Sequence, residues 1–255
     1  MSANEFIEGA ISTLANTMRM YVETHMRFAE LFKIDPEEAI DNLDRTFEMK
    51  LEAFHTLFDV SRDLFPYFDH GDTTMLIAVR NAIHHRNHTL FRSLNRRLHL
   101  DGGIERWLGA SFLLASHPTI HGGPIRMSHH VRLDDLHARI DPARGSPYLD
   151  TLLKGDRAAW RLKVIATDLN LPIIREHGAR NGYPEDQIYL DLMPIFVSAV
   201  CKVFKAMQAS GIGFRGFDAG TYLTPFTSEL QVDLGSPVFK QLRLRGWGPL
   251  DRIPV

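Results

Sequence analysis

The sequence predicts an all-α fold, an antiparallel helical bundle with a C-terminal extension of helical and irregular chain. Residues 5–33 place apolar side chains at helical spacing without a proline, and two more long helical patterns follow after short turns. Short turns between long helices favour antiparallel neighbours. Residues 117–156 are rich in His, Gly, Pro and Asp, which is typical of a long connection. We therefore expect a bundle over residues 1–116 and an extension over 117–255 that packs on it.

The second helix has a clear start and a clear end. Asp35 is a good N-cap residue, and Pro36 suits the first helical position because its missing N–H is not needed there. The helical pattern then continues to about Phe65, where Pro66 ends it. The first two helices are thus expected to form a hairpin.

The third and fourth helices are predicted from turn residues and periodicity. The third is expected to begin at a cap within "DHGDTT" and to reach about Leu100, where "DGG" ends it. The fourth is predicted over residues 104–116, and its amphipathic pattern would bring Trp107 and Phe112 to the core.

The extension contains weaker helical patterns. Helices are predicted over residues 157–171 and 185–210, the second closed by Gly211 as a C-cap, with at most a short helix near "LDDLHARI" before them. The last 44 residues have Gly and Pro every few positions, and we expect them to wrap over the helices.

Composition limits the class of protein. At 255 residues and 44% hydrophobic content the chain can bury a sizeable core, which argues against disorder. The net charge of −2 argues against a generally basic nucleic-acid coat, but the charge is uneven. Residues 1–75 carry 15 acidic and 6 basic side chains, whereas residues 80–106 carry 6 basic and 2 acidic ones. A local basic surface is therefore expected around residues 80–106.

Cellular location is read from cysteine use and apolar runs. The single cysteine, Cys201, allows no internal disulfide and is expected to be a small core side chain. The opening "MSANEFIEGA" lacks the pattern of a signal peptide, and the longest apolar stretch, 188–204, is interrupted by Asp191, Pro194 and Lys202. A cytoplasmic protein without a membrane partner is expected.

The stretch "VRNAIHHRNH", residues 79–88, is unusual for the outer face of a helix. On a helical wheel its polar side chains lie away from the apolar stripe that contains Val79, Leu76 and Ile83. A merely solvated face usually mixes Lys and Glu, yet residues 79–100 contain neither. The polar residues of this helix therefore face solvent, another part of the chain or a partner.

Arginine and histidine together suit metal-free RNA cleavage. Arginine offers a fixed fork of donors that fits phosphate, and histidine exchanges a proton near neutral pH. In such a reaction a base takes the proton of the ribose 2′-OH, which attacks its own phosphate, while a guanidinium stabilises the charge on the phosphoryl oxygens. This cleavage leaves a 2′,3′-cyclic phosphate and needs no cofactor.

The motif "RNAIHH" resembles that of the HEPN superfamily, helical bundles marked by Arg, often Asn directly after it, and His four to six residues later. The matching residues are Arg80, Asn81 and His85. A second Arg-x4-His match, Arg132 to His137, lacks the Asn. The resemblance covers residues 1 to about 116. It implies a homodimer whose two motifs form one endoribonuclease site, many members being toxins or antiphage effectors, with tRNA or other cellular RNA as substrate and an antitoxin or defence-system protein as partner.

Roles within the motif follow from side-chain chemistry. Arg80 is predicted to stabilise the scissile phosphate and His85 to act as general base or acid, with Asn81 orienting His85 or holding the phosphate. A further set of basic side chains is predicted to contact the RNA backbone or assist the motif. These are Arg86, Arg92, Arg96, Arg97, His84 and His88.

Two alternatives stay open. His84 and His88 have the i,i+4 spacing that presents two imidazoles to one metal ion, and further ligands are available at His117, His121, His129 and His130, although no HExxH motif is present. The other alternative is a helical module that binds RNA or a protein without cleaving. We predict no metal and no cofactor, and cleavage distinguishes the nuclease from the binding module.

Overall fold

The computed structural model describes residues 3–84, 89–151 and 153–244, and its fold combines many helices with a mixed β-sheet. The helices are α1 Ala3–Ile34, α2 Pro36–Ser61, α3 Gly71–His84, α4 Leu94–His99, α5 Asp134–Ile140, α6 Gly155–Asp168, α7 Leu171–Arg180, α8 Leu192–Ala209 and α9 Gly216–Asp218. The strands are β1 Ser111–Ser116, β2 Thr119–His121, β3 His130–Arg132, β4 Ile188–Asp191, β5 Gln231–Val232 and β6 Val238–Arg243. Short 3-10 turns are formed by Tyr67–Asp69, Ile104–Trp107, Pro142–Arg144 and Glu185–Gln187, and two π-helical turns, Ala219–Leu223 and Pro225–Glu229, follow α9.

The hairpin of α1 and α2 forms as predicted. Asp35 alone links the two helices, and its side chain accepts a hydrogen bond from the Glu38 amide at 3.0 Å. This bond satisfies one of the amides left without a helical partner at the start of α2. The second helix ends at Ser61, four residues before the predicted end at Phe65.

The prediction of a continuous third helix to Leu100 is wrong. Residues 89–93 are not helical, and Phe91 has a positive φ of 58°. The Phe91 amide donates to the buried Asp135 carboxylate at 2.9 Å, and α4 starts afresh with Ser93 as its N-cap. Contacts with α5 therefore override the helical periodicity of this segment, since Leu90 and Leu94 are buried without belonging to α3.

The prediction of a helix over residues 104–116 is also wrong. The fold is mostly helical, as expected, but it includes a β-sheet and is therefore not all-α. Only Ile104–Trp107 forms a 3-10 turn, and Ser111–Ser116 is the strand β1. The four-stranded sheet has the order β3-β4-β1-β6, in which β1 runs parallel to β4 and antiparallel to β6. A continuous apolar run such as "FLLA" fits a buried strand as well as a buried helix, so periodicity alone cannot decide between them.

The helix predicted over residues 185–210 begins later than expected. Residues 188–191 form β4, and Asp191 caps α8, which starts at Leu192. The C-terminal end agrees with the prediction, since Gly211 has a φ of 74° and its amide donates to the Gln208 carbonyl at 3.0 Å. The predicted short helix at "LDDLHARI" is present as α5.

The core lies between the helices and one face of the sheet. Side chains of α1, α2, α3 and α8 form its main cluster together with residues of β1 and β4. The predicted segments 1–116 and 117–255 share this core and one sheet, because β1 pairs with both β4 and β6. Among the described residues one helix, α8, is long and apolar enough to cross a membrane, and most of it is buried in the core. Cys201 on α8 is buried, as predicted.

Candidate active site between α2 and α3

Arg80 points across to α2 and is held by Glu52. Its Nε and Nη2 both donate to Glu52 Oε2, at 2.9 and 2.6 Å, and its Nη1 donates to Asn81 Oδ1 at 3.3 Å. The Arg80 side chain is 19% exposed and that of Glu52 is 45% exposed. A partly solvated pair of this kind can be opened by a competing anion, because exposed ion pairs contribute little free energy.

His84 shares the same carboxylate. Its Nδ1 lies 3.4 Å from Glu52 Oε1, so the two oxygens of Glu52 face different partners. Glu52, Arg80, Asn81 and His84 therefore form one group at the surface between α2 and α3, which we call the Glu52 cluster. It contains a phosphate-binding side chain, an amide, an imidazole and a carboxylate.

His55 lies beside the cluster, three residues after Glu52 on α2. Its Nδ1 is 3.2 Å from Asp59 Oδ2. Burial and then the positive charge of Arg80 lower the pKa of His55, while the carboxylates of Asp59 and Glu52 act in the opposite direction. A histidine with a lowered pKa is neutral near pH 7 and is able to accept a proton.

Part of the predicted motif lies outside the described residues. His85, the predicted general base or acid, belongs to residues 85–88, as do Arg86 and His88. Of the described members of the motif, Arg80 donates both to Asn81 and to Glu52. Their positions relative to His85 stay a prediction.

The remaining predicted RNA-contacting arginines are paired within the chain. Arg92 Nη1 donates to Asp101 at 2.8 Å, and Arg97 Nη2 donates to Asp135 at 2.9 Å. Arg96 bridges α4 to α2, with Nε 3.1 Å from Asp44 Oδ2 and Nη2 bound to Asp41. Aspartates therefore match the basic charge of these three arginines, and RNA would have to compete with them.

Asp135 is the centre of the largest of these networks. It is fully buried and accepts hydrogen bonds from the Phe91 amide, from Arg97 Nη2 and from Arg132 Nε at 2.8 Å. Arg132, at the end of β3, is the first residue of the second Arg-x4-His match. Its ion pair with Asp135 holds α5 against β3. The match is a packing feature rather than a second motif.

Two of the histidines considered as metal ligands are engaged in other contacts. His117 is buried, with Nε2 3.1 Å from the Leu169 carbonyl, and His129 is buried with its ring stacked on Phe47 at 3.6 Å. Within the described ranges no group of three or more His, Cys, Asp or Glu side chains is arranged to hold a metal ion. His88, one of the two i,i+4 histidines, lies outside those ranges.

Lys50 is enclosed in the core, away from the Glu52 cluster. Its Nζ lies 3.8, 4.3 and 4.6 Å from the ring centroids of Tyr21, Phe196 and Phe47, and 2.9 Å from Met193 Sδ. Burial lowers the pKa of Lys50 well below its ordinary value, opposed by the charge of Asp191. The side chain is 1% exposed, so its amine has no access to a substrate in this structure.

Sequence reasoning missed Glu52, His55 and Lys50. The sequence carries a signal for the first two, because Glu52 and His55 are spaced i,i+3 and therefore share a face of α2. It does not reveal that this face meets Arg80, 28 positions later. Lys50 carries a signal of burial as well, because it lies at helical spacing between Phe47 and Phe54 on the apolar face of α2.

Comparisons with known proteins give no independent assignment. Neither a scan against protein-family models nor searches of curated proteins and of solved structures returned a match. The Glu52 cluster and the chemistry of the motif are therefore the features that bear on function.

Proposed function

We propose that the chain is a metal-independent endoribonuclease of the HEPN type, a toxin or antiphage effector that cleaves tRNA or other cellular RNA in the cytoplasm. The observation that supports this most strongly is the Glu52 cluster. It gathers the motif residues Arg80 and Asn81 with His84 at the surface of α3, around a carboxylate that occupies the donors a phosphate would use.

In the proposed reaction the scissile phosphate displaces Glu52 from Arg80. Without RNA, Arg80 Nε and Nη2 donate to Glu52 Oε2. When RNA is bound, a phosphate oxygen takes the place of Glu52 and accepts from the same two atoms. The guanidinium then stabilises the charge that develops on the phosphoryl oxygens as the 2′-OH attacks.

Proton transfer is assigned to the histidines. His85 takes the 2′-OH proton or gives a proton to the departing 5′ oxygen, as the motif predicts. We propose His55 as a further acceptor because it lies one helical turn after Glu52 on α2, and its lowered pKa keeps the ring neutral. The products are a 2′,3′-cyclic phosphate and a 5′-hydroxyl.

We place the complete site in a homodimer. The Glu52 cluster lies at the protein surface, with His84 60% exposed, which leaves room for a second copy of the motif to face it. A homodimer supplies a second Arg80 and His85 to the same phosphate. An antitoxin or defence-system protein is the expected regulator.

The test is RNA cleavage by the purified protein in EDTA. We expect Arg80→Ala and His85→Ala to abolish cutting while unchanged circular dichroism and thermal unfolding show that they remain folded. Arg180→Ala is the matched control, because Arg180 is also an arginine paired with a glutamate, Glu176, but lies on α7. Intact RNA across a broad substrate panel, or full activity in both motif variants, would refute the proposal.

Two other outcomes identify the alternatives. RNA that binds through Arg80 but stays intact indicates a binding module, and activity that EDTA removes indicates a metal site. Light scattering that gives a monomer at working concentration would remove the composite site.

A further inference from the structure

A cleft lies at the start of α6, away from the Glu52 cluster. It has a volume of about 420 Å³, within the range of about 300–1,000 Å³ that is usual for small-molecule sites. Its lining residues are Phe68, Asp156, Arg157, Trp160 and Arg161. Four of these come from the first two turns of α6, and Phe68 comes from the 3-10 turn that precedes α3.

The cleft is distant from the motif along α3. Phe68 lies just before the N-terminal end of α3, whereas Arg80 and His84 lie toward its C-terminal end. The helix rise gives roughly 14 Å between Gly71 and Arg80. The cleft is therefore separate from the Glu52 cluster.

The arginines of the cleft differ from those around α4. Arg92, Arg96 and Arg97 each pair with an aspartate, whereas neither Arg157 nor Arg161 forms an ion pair within the described chain. Asp156 also lines the cleft, so its charge offsets one of the two guanidiniums. A second carboxylate, Asp150, acts on Arg161 from nearby and pairs with Arg139. Arg157 and Arg161 keep donors that the lining residues leave unused.

Arg161 is fixed in place by an aromatic ring. Its guanidinium carbon lies 3.7 Å from the centroid of Phe68, and its buried Nε has no hydrogen-bond partner among the described residues. Burial and then the neighbouring charge of Arg157 lower the pKa of Arg161. A guanidinium held by its face presents its edge donors to an anion at little entropic cost.

Trp160 supplies an aromatic surface beside these two charges. Its side chain is 43% exposed, so the indole ring is accessible to a ligand in the cleft. An indole next to guanidiniums suits a ligand that has a flat ring and a phosphate, because bases stack on aromatic side chains and arginine binds phosphate.

We propose that this cleft is a nucleotide-binding site, in which the base stacks on Trp160 and the phosphate binds Arg157 and Arg161. The nucleotide is either a free mononucleotide or one unstacked nucleotide of single-stranded RNA. Binding here needs no cleavage chemistry, so the site stands whether or not the chain is a nuclease.

The experiment measures binding of two probes to the full chain. One probe is AMP, followed by isothermal titration calorimetry, and the other is a short single-stranded RNA with 2′-O-methyl groups, followed by fluorescence anisotropy. The methyl groups remove the 2′-OH nucleophile, so failure of the proposed nuclease activity cannot affect the result. Competition between the probes shows whether they share one site.

We expect Trp160→Ala and Arg157→Ala each to weaken binding by about tenfold or more, the scale of one lost base stack or phosphate contact. Trp160→Phe should retain most of the affinity, because a phenyl ring also stacks. The matched control is Lys163→Ala, which removes a positive charge from an exposed position on α6 outside the cleft. Its affinity should equal that of the wild type.

The results separate the two sources and test the site. Binding of AMP that RNA does not displace identifies a free-nucleotide site. Binding of RNA but not of AMP identifies an RNA subsite. Either result supports the proposal when the Trp160 and Arg157 variants lose affinity. No binding of either probe would overturn it. Polyglutamate that binds as tightly as RNA would show charge attraction without a base site and would also overturn the proposal. So would a loss of affinity in Lys163→Ala equal to that in the Trp160 and Arg157 variants.

Discussion

Lys50→Met is predicted to stabilise the protein at neutral pH. The Lys50 side chain is 1% exposed, and its amine contacts aromatic rings and the weak acceptor Met193 Sδ. Methionine has a similar length and brings no charge into this apolar setting. The substitution loses cation–π contacts, worth up to about 2 kcal/mol when desolvated, but removes the larger cost of burying the charge.

The expected gain is about 1–4 kcal/mol at pH 7, the range found when a buried ion pair is replaced by apolar residues of similar volume. For a chain of this size each kcal/mol raises Tm by about 2–4 °C. Urea unfolding followed by circular dichroism measures the difference. Lys163→Met is the matched control, since Lys163 is exposed and its replacement should change stability little.

The pH dependence gives a second, independent readout. The pKa of Lys50 is lowered in the folded chain from its ordinary value of 10.5. Between the folded and unfolded pKa the unfolded chain binds the proton more tightly, so this residue makes stability rise with pH, and its cost is fully present below the folded pKa. Lys50→Met should remove this part of the rise between neutral and alkaline pH. A variant that is less stable than the wild type and keeps the same pH slope would refute the reasoning.

Three further substitutions test the site and the fold. Glu52→Gln should tighten RNA binding and steepen its salt dependence in anisotropy titrations, because Arg80 gains a phosphate contact; weaker binding would show that Glu52 positions Arg80 instead. Asp135→Asn should lower the free energy of unfolding in urea by about 3–5 kcal/mol, because it removes a fully buried carboxylate that pairs with the partly buried Arg97 and Arg132. An unchanged urea midpoint would contradict this. Gly71→Ala should lower the free energy of unfolding by about 1–3 kcal/mol in thermal unfolding, because the added Cβ would lie 2.6 Å from Asp168 Cβ and 2.9 Å from the Val164 carbonyl oxygen. Wild-type stability would show instead that α6 moves to accept the added methyl group.

Local signals predicted the first part of the fold correctly. Asp35 and Pro36 mark the start of α2 through capping and backbone preference, which act within one helical turn. The same holds for Gly211 at the end of α8, where a positive φ is needed. These features depend on neighbours in the sequence and can be read from it.

The elements that were predicted wrongly depend on contacts between residues far apart in the sequence. The segment "SFLLAS" becomes a strand because β4 and β6, which begin at Ile188 and Val238, pair with it on both sides. Likewise, the chain leaves α3 and restarts at Ser93 because Asp135, 44 positions after Phe91, binds the Phe91 amide. A helical wheel contains no information about such contacts.

For the candidate site, too, the sequence shows the local features but not the contacts with distant residues. The sequence shows Arg80 and Asn81 side by side on one helix, but not that Glu52 on α2 holds the guanidinium. Nor does it show that Arg96 and Arg97 pair with aspartates 38 to 55 positions away. The basic excess predicted over residues 80–106 is therefore largely matched once the chain folds.

The most direct test of the proposed nuclease activity is end-group analysis of RNA incubated in EDTA with the wild type or with Arg80→Ala. We expect 2′,3′-cyclic phosphate and 5′-hydroxyl ends with the wild type and uncut RNA with the variant. Equal cleavage by both proteins, or 3′-hydroxyl and 5′-phosphate ends, would contradict a metal-independent site built on Arg80.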